Sequence, residues 1–200
     1  MAKKESTFMS MVITLLVVTL VAAGLLGSVY ALTKEPIRLA ELKKKNEAIQ
    51  VVVPGYDNEP SGEVRKLFVD GDTIYFYTAR QGDTVLGTAV ETFTNKGFSG
   101  EFKLMVGFNP EGSIIDIAVI KHAETPGLGD KMERDKSDFN VQFMGKHPNS
   151  FNLAVTKDRG DVDAITASTI TSRAYCDAVQ RAFDAYGSLE SSQPRNMENE

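Results

Sequence analysis

The sequence predicts an α+β protein: an antiparallel β-sheet domain with packed helices, behind a single N-terminal transmembrane helix. Three observations indicate this class: an uncharged apolar run near the N-terminus, a series of short strands separated by turn residues, and an amphipathic helical pattern near the C-terminus. The chain has 200 residues, of which 42% are hydrophobic and 24% are charged. The roughly 140 residues behind the apolar run are enough to bury one core.

The first element is the apolar run from Met9 to Leu32, which contains no charged residue. A helix of about 20 residues crosses the roughly 30 Å hydrocarbon layer of a membrane. Residues 9–32 are therefore predicted to be a transmembrane anchor, preceded by a cytoplasmic N-terminus at 1–8. The alternative is a cleaved signal peptide with Val29-Tyr30-Ala31 as a loose cleavage site, but the run is longer than the usual apolar region of about 7–15 residues.

Residues 33–60 are predicted to form a charged juxtamembrane helix and a linker. Helical character is expected for Lys34–Ile49, and the segment Val51–Gly55, which contains a proline, ends it. More basic residues follow the span than precede it. That excess does not fix the orientation of the anchor, because long domains that follow a span translocate largely regardless of their charge.

A strand-rich region follows the linker. Val64–Val69 and Thr73–Ala79 flank Asp70-Gly71-Asp72, a pattern that is typical of a hairpin. Val85–Phe93 and Gly100–Phe108 are predicted to be the next two strands. An antiparallel sheet accounts for these elements because only short turns separate them.

A fifth strand is predicted to end close to Ile120, and a loop with the sequence Glu-Thr-Pro-Gly-Leu-Gly, residues 124–129, follows it. Pro126 and Gly127 predict a turn. A rigid loop that contains glycine can approach a flat ring closely, although an ordinary surface turn would have the same composition. The loop is not a dinucleotide-binding fingerprint, because it lacks the third glycine and follows a proline.

The last element is a helix predicted over Arg173–Tyr186, with Ser172 as its N-cap and Gly187 at its end. The run Asp163–Ser172 in front of it is rich in hydroxyl groups. Free amides and the positive end of a helix favour an anion at such a place. Hydroxyl residues also cap ordinary helices, so the run alone leaves an anion site and a simple cap as open alternatives.

The run Asp163–Ser172 resembles the flavinylation motif of the FMN-binding domain family, and the alignment makes Thr169 the acceptor. In that family FMN is joined through its phosphate to a threonine oxygen by a transferase that uses FAD. The chain has Ala167 where glycine is usual and Ser168 where alanine is usual. If the backbone at Ala167 needs positive φ, alanine costs about 1 kcal/mol. The 124–129 loop matches a second hallmark of the family, in the same order and near the same spacing.

The likeness covers nearly the whole chain and extends to the G subunits of Rnf complexes, which are ion-translocating ferredoxin:NAD oxidoreductases. The C subunits of sodium-translocating NADH:quinone reductases share the anchor and both motifs and remain the alternative. The resemblance implies an FMN-binding domain at residues 61–187 with FMN bound covalently at Thr169 through a phosphoester. The flavin contacts that it implies are Glu124, Thr125, Leu128, Gly129, Thr166, Ser168, Ile170 and Thr171.

The implied function is electron transfer between other subunits of a membrane complex, without complete catalytic activity in this chain alone. The resemblance places the chain in the inner membrane as a single-pass protein with its FMN domain on the periplasmic side. A flavin transferase is the implied partner during maturation. The rival from another class is a membrane-anchored assembly module without flavin, in which the hydroxyl run serves only as a helix cap.

Composition excludes several other classes. A net charge of −5 without a basic stripe argues against a nucleic-acid surface. The single Cys176 permits no internal disulfide and is expected to be a buried structural thiol. The two histidines, His122 and His147, lack a cluster of nearby ligands, so no metal site is predicted. Residues 188–200 are polar and are predicted to form a disordered tail.

Overall fold

A computed structural model describes residues 7–69 and 71–191. The chain divides into two compact units, residues 1–44 and 45–200. The described residues form two α-helices and five strands: α1 Phe8–Val52, β1 Val64–Val69, β2 Asp72–Gln81, β3 Thr84–Gly97, β4 Gly100–Phe108, β5 Ile114–Lys121 and α2 Thr169–Ser191. Short 3₁₀ helices lie at Pro60–Gly62, Gly129–Met132, Phe139–Phe143 and Thr156–Asp158.

Helix α1 is continuous and contains Pro36. Its N-terminal part carries an apolar window that is long enough to cross a membrane and is not buried inside the protein. The helix predicted at Lys34–Ile49 continues that window, and α1 ends at Val52, inside the predicted stop at Val51–Gly55. Of the predicted N-terminus at 1–8, residues 1–6 lie outside the described part of the chain.

The strands form one antiparallel sheet in the order β1-β2-β3-β4-β5, so each strand pairs with its neighbour in the sequence. The predicted hairpin is confirmed: Val69 pairs with Asp72, and Gly71 has a φ of +89°, which favours glycine. Strand β3 extends beyond its predicted end at Phe93 because its last residues still pair with β4, down to Gly97 opposite Gly100. These contacts place the β3–β4 turn at one end of the sheet.

One face of the sheet packs against α2. The core on this face includes Phe76 and Leu104 from the strands and Ala174 and Ala178 from the helix. Because these helix residues are small, the two elements approach closely, and the hydroxyl of Thr92 donates a hydrogen bond to the carbonyl of Ala178 at 3.1 Å. This hydrogen bond fixes the position of α2 relative to β3.

The bounds predicted for this helix were wrong at its start. Helix α2 begins at Thr169 and not at Arg173. Ser172, predicted to be the N-cap, lies inside the first turn, where its hydroxyl donates to the carbonyl of Ser168 at 3.0 Å and accepts from the amide of Ile165 at 2.9 Å. The helix therefore begins within the hydroxyl run.

The predicted helix end at Gly187 was also wrong, since α2 continues to Ser191. Leu189 packs against the core, which offsets the roughly 0.5–1 kcal/mol that glycine costs in a helix interior. Of the predicted tail at 188–200, residues 188–191 are thus helical, and residues 192–200 lie outside the described part of the chain.

The opposite face of the sheet packs against the last turns of α1. Ile49 and Val52 are buried there together with Met105. Strand β4 has a glycine at the closest approach, because a Cβ on Gly107 would collide with the carbonyl oxygen of Val52. The absence of a side chain at Gly107 therefore allows the end of α1 to approach β4 closely.

A buried polar cluster strengthens this contact. Glu91 in β3 accepts a hydrogen bond from the hydroxyl of Tyr77 at 2.8 Å and forms an ion pair with the ammonium of Lys45 at 2.9 Å. Burial raises the pKa of Tyr77, and the neighbouring Glu91 raises it further. Tyr77 therefore stays protonated and donates, so that both partners of Glu91 are retained.

We predict that Gly107→Ala destabilises the fold by about 1–3 kcal/mol, because the added methyl group overpacks the contact with Val52. The matched control is Gly62→Ala, where a Cβ meets no atom within 4 Å and φ is not positive. Urea unfolding of the full-length chain in detergent measures both changes. Equal stabilities for the two variants would contradict the close packing of α1 on β4.

Candidate functional site

Three segments that are distant in the sequence meet at one end of the sheet and enclose an open cavity of about 300 Å³. They are the β3–β4 turn, the loop after β5 and the start of α2. The cavity is lined by Phe98, Glu124, Thr125, Leu128, Gly129, Ala167, Ser168, Thr169, Ile170 and Thr171. Because the two sequence motifs supply nine of these ten residues, the fold brings both motifs to one place.

The loop after β5 owes its shape to a tight turn. The carbonyl of Thr125 accepts a hydrogen bond from the amide of Leu128 at 3.1 Å, and Gly127 has a φ of +78°. Pro126 at the second position and a glycine with positive φ at the third are the pattern of a type II turn. The turn predicted at Pro126 and Gly127 is confirmed, and it directs Leu128 toward the cavity.

The start of α2 has an unusual backbone. Ala167 adopts a left-handed φ of 60°, which costs an L-residue with a side chain about 1–2 kcal/mol. This conformation directly precedes Ser168, whose carbonyl accepts the first helical hydrogen bond, from Ser172, at 3.0 Å. Thr169 is consequently the first residue of the helix, and its side chain is partly exposed at the rim of the cavity.

Thr169 lies at the helix end where backbone donors are free. Thr169, Ile170 and Thr171 form the first turn of α2, where amides have no intrahelical acceptor. The helix dipole adds partial positive charge at the same point. In addition, Lys157 donates from its ammonium to the Thr169 hydroxyl oxygen at 3.4 Å. A negatively charged group at Thr169 would therefore lie among donors.

Glu124 joins the three segments. Its side chain is only 5% exposed, and its two oxygens accept from the Thr171 hydroxyl at 2.9 Å and from the Ser99 amide at 3.1 Å. Two glycines leave space for the carboxyl group of Glu124. A Cβ added at Gly129 would lie 2.5 Å from one Glu124 oxygen, and a Cβ added at Gly97 would lie 2.7 Å from the other. A buried polar group must be paired, so Glu124 fixes all three segments together.

Ser168 extends this arrangement. It is buried, and its hydroxyl donates to the Thr171 hydroxyl at 2.9 Å, which in turn donates to Glu124. The small hydroxyl side chain of Ser168 is thus accommodated by a hydrogen bond within the protein. Ser168 and Thr171 support the wall of the cavity.

A second cluster, which we call the support cluster, lies behind the 124–129 loop and consists of His122, Asp130, Glu133 and Lys136. The amide of Glu124 donates to Nδ1 of His122 at 3.1 Å, which leaves the proton on Nε2, 3.0 Å from Glu133. Lys136 pairs with Glu133 at 2.8 Å and with Asp130 at 3.0 Å. His122 is therefore a positioning side chain for the loop.

The two carboxylates of the support cluster have lowered pKa values. Burial alone would raise the pKa of Glu133, but hydrogen bonds from Lys136 and His122 outweigh it. For Asp130 as well, burial opposes the change and the hydrogen bond from Lys136 outweighs it, so its pKa is lowered. Both groups therefore stay ionised at neutral pH and hold Lys136 between them.

Large apolar side chains form the rim of the cavity. Phe98, Ile170 and Leu128 are 68%, 49% and 41% exposed, respectively. We call these three residues the apolar rim. Exposed apolar side chains that surround a cavity typically mark a ligand or a partner surface.

Phe98 was missed by the sequence analysis. A signal was present, because an aromatic residue stands in the short turn between Gly97 and Gly100, where polar residues are the norm. The position of that turn relative to Thr169 depends on the pairing of β3 with β4 and on the packing of α2. Neither of these is visible from local patterns.

Thr166 is the one predicted contact that the structure does not bring to the cavity. It lines a separate surface depression together with Asp163, Gln142 and Lys131. Its predicted role at the cofactor stays a prediction. The other predicted residues, Glu124, Thr125, Leu128, Gly129, Ser168, Thr169, Ile170 and Thr171, all line the cavity.

The remaining candidates behave as structural residues. Cys176 is buried, as expected, and burial raises the pKa of its thiol to about 12. His147 packs edge-on against Phe183 with ring centroids 5.4 Å apart. Within residues 7–69 and 71–191, no group of three or more His, Cys, Asp or Glu side chains is arranged to hold a metal ion.

Comparisons with known proteins agree with this site. The family model of the FMN-binding domain matches residues 97–184, which include the β3–β4 turn, the 124–129 loop and the start of α2. The G subunit of the ion-translocating oxidoreductase complex of Shewanella oneidensis is 34% identical over 192 residues, which cover 90% of this chain and 91% of that protein. The corresponding G subunit of Cronobacter sakazakii is 37% identical over 178 residues, 85% of this chain and 86% of that protein.

Among solved structures, the chain is similar to the crystal structure of Shewanella oneidensis NqrC. The TM-score is 0.45 and the sequence identity is 18%, over 69% of each chain.

We predict that Ala167→Gly stabilises the protein by roughly 0.5–1 kcal/mol. Glycine relieves the left-handed strain of about 1–2 kcal/mol. The larger conformational entropy of glycine in the unfolded state opposes this gain by about 0.4–1 kcal/mol. Urea unfolding measures the change. Ala123→Gly is the control, because Ala123 is exposed and lacks a positive φ, and it should be slightly destabilising. A loss of stability in Ala167→Gly would contradict the strained backbone.

We also predict that Lys136→Met lowers stability at neutral pH and that its effect vanishes in acid. Carboxylates with lowered folded-state pKa values contribute stability above their unfolded pKa values of about 4 and lose it as the pH falls through the folded values. The measurement is the free energy of unfolding at pH 7 and pH 3. The exposed Lys121, changed to Met, serves as the control. An equal effect of Lys136→Met at both pH values would argue against the ion pairs.

Proposed function

This chain belongs to the family formed by the G subunits of ion-translocating oxidoreductase complexes, and on that premise we propose that it is a membrane-anchored electron-transfer protein that carries FMN. We further propose that the FMN is bound covalently, through a phosphoester to the oxygen of Thr169. The observation that carries this proposal is the partly exposed Thr169 hydroxyl at the start of α2. It stands at the rim of the cavity formed by the two sequence motifs.

The phosphate end of the cofactor fits the chemistry at Thr169. Free amides of the first helical turn, the helix dipole and the Lys157 ammonium all favour an anion there. Thr169 lies two residues after the left-handed Ala167 and is partly exposed. A modifying enzyme can therefore reach it without unfolding the helix.

The ring end of the cofactor fits the apolar rim. Phe98, Leu128 and Ile170 offer apolar surface beside Thr169, and aromatic and aliphatic side chains of this kind pack on flat rings. The cavity of about 300 Å³ lies at the small end of ligand pockets, which hold roughly 300–1,000 Å³. A flavin held there would keep part of its ring system in solvent, where other redox groups can approach it.

The proposed attachment is a phosphoryl transfer, in which the FMN half of FAD passes to Thr169. The oxygen of Thr169 forms a bond to the phosphorus of the FMN half of FAD, and the bond from that phosphorus to the AMP half breaks. AMP leaves, and the hydroxyl proton passes to a base of the flavin transferase. The chain itself contributes the accessible nucleophile and the donors that receive the negative charge.

When bound, the flavin takes up and releases single electrons. The residues of this chain hold the cofactor: Thr169 tethers the FMN, and the apolar rim orients the flavin ring and shields one side of it. Glu124 keeps the three segments of the site together. With this division, the protein is a carrier within a larger complex and not a complete enzyme.

We place the FMN domain on the periplasmic side of the inner membrane. The candidate span lies at the N-terminal end of the chain and is followed by a long domain, and such domains translocate largely regardless of their charge. Covalent attachment suits that location, because a flavin that dissociates outside the cytoplasm is lost. The other subunits of the membrane complex are the electron partners in this proposal.

We predict that Thr169→Val abolishes covalent flavin, since valine keeps the shape and removes the nucleophile. Intact and peptide masses of the full-length chain, co-expressed with a flavin transferase, should show FMN less one water on the peptide that contains Thr169. Thr84→Val is the matched control, because Thr84 is an exposed threonine outside both motifs and outside the cavity, and it should remain loaded.

Expression of the transferase with and without an export signal tests the side of the membrane, and loading only by the exported enzyme is expected. Retained flavin in Thr169→Val would move the acceptor elsewhere. A wild-type chain that stays unmodified with both forms of the transferase would favour the assembly module without flavin.

A further inference from the structure

A basic side chain outside both sequence motifs approaches the acceptor hydroxyl. Lys157 lies in the short helix Thr156–Asp158, and its Nζ is 3.4 Å from the hydroxyl oxygen of Thr169. The two residues are 12 apart in the sequence. This proximity depends on the loop that crosses in front of α2 and not on the motif itself.

An ion pair next to Lys157 fixes this loop to α2. Arg173 of α2 donates two hydrogen bonds to the carboxylate of Asp158, at 2.6 and 2.8 Å. The hydrogen bond from Arg173 is also the main cause of the lowered pKa of Asp158. A bidentate ion pair of this kind restricts geometry as well as adding attraction. Asp158, the residue next to Lys157, is therefore held at Arg173, about one helical turn beyond Thr169 in α2.

The base of the loop is closed as well. Val155 and Val162 form a parallel bridge, and Gly160 packs so closely on Ala154 that a Cβ there would collide with its backbone. Lys157 therefore extends from an anchored loop.

The exposed ammonium of Lys157 has an attractive interaction with the nearby Asp158 carboxylate but does not form a close ion pair with it. Asp158, the adjacent carboxylate, is paired with Arg173, and within the described ranges the Lys157 ammonium forms no ion pair with a carboxylate at 4.0 Å or less. Its hydrogen bond is to a neutral hydroxyl. A cation in this situation is suited to an anion that arrives with the modification of Thr169.

We propose that Lys157 is a positioning residue that pairs with the phosphoester at Thr169 and thereby fixes the direction in which the flavin leaves the helix. The inference rests on the proposed function. The non-bridging phosphate oxygens are two bonds from the threonine oxygen, so a group that reaches that oxygen also reaches them. The pair supplies one charge-assisted contact in addition to the backbone amides.

The test compares four full-length proteins in detergent: wild type, Lys157→Met, Lys157→Arg and Lys146→Met. Lys146 is an exposed lysine outside the cavity, and Lys146→Met removes the same charge. Two quantities are measured, the initial rate of loading by the flavin transferase from intact mass and the ³¹P resonance of the loaded protein. Circular dichroism and thermal unfolding verify that all four proteins are folded.

Loading of Lys157→Met is expected to be about two- to fivefold slower, as for the loss of one solvent-exposed ion pair. Its ³¹P resonance should shift from the wild-type position. Lys157→Arg should restore both quantities, Lys146→Met should match wild type, and 0.5 M salt should narrow the difference, since exposed charges are screened. A merely structural role for Lys157 would not give charge-dependent rescue.

Equal rates and an equal ³¹P resonance in wild type and Lys157→Met would overturn the inference and leave the proposed function intact. A slower rate with an unchanged resonance would assign Lys157 to recognition by the transferase, which also overturns the ion pair. Failure of Lys157→Arg to rescue would show that charge is not the cause. Absence of flavin from the wild-type chain would instead remove the proposed function, and the inference with it.

Discussion

The site depends on one buried carboxyl group. Glu124 accepts hydrogen bonds at both oxygens, from the Thr171 hydroxyl and from the Ser99 amide, and so ties the start of α2 to the β3–β4 turn. Its own loop is held in turn through the bond from its amide to His122. Removing one partner of a buried polar group typically costs about 1–3 kcal/mol, so the three segments are stable together and less so separately.

Space is the second constraint on this arrangement. Gly97 and Gly129 lie on either side of the Glu124 carboxyl group, and a methyl group at either position would approach its oxygens to less than 3 Å. The Gly-Leu-Gly of the loop thus has a structural role that differs from phosphate binding: Gly127 forms the turn and Gly129 admits the carboxyl group. Leu128 between them remains exposed at the cavity as a consequence of both.

The sequence was informative where structure is local and less so where it depends on packing. Alternating residues and the glycine turn at Gly71 sufficed for the strands, and Pro126-Gly127 sufficed for the loop. The start of α2 was misplaced because Ser172 resembles an N-cap, whereas its hydroxyl bonds back to Ile165. Phe98 and Lys157 escaped notice because their proximity to Thr169 arises from strand pairing and from the Asp158 ion pair to α2.

A shallow site and the covalent tether that we propose would explain each other. An open cavity of about 300 Å³ with three exposed apolar side chains buries little of a flavin, and little burial means weak non-covalent binding. The proposed tether at the edge of the cavity would replace that missing affinity, because it would keep the local concentration of the ring high without any deeper contact. An exposed flavin ring would be a weakness in an enzyme that binds a diffusible cofactor. An electron carrier requires that exposure, because other redox groups must approach the ring. Thr169 is itself partly exposed at the start of α2, so a modifying enzyme could reach the acceptor at the edge of this shallow site.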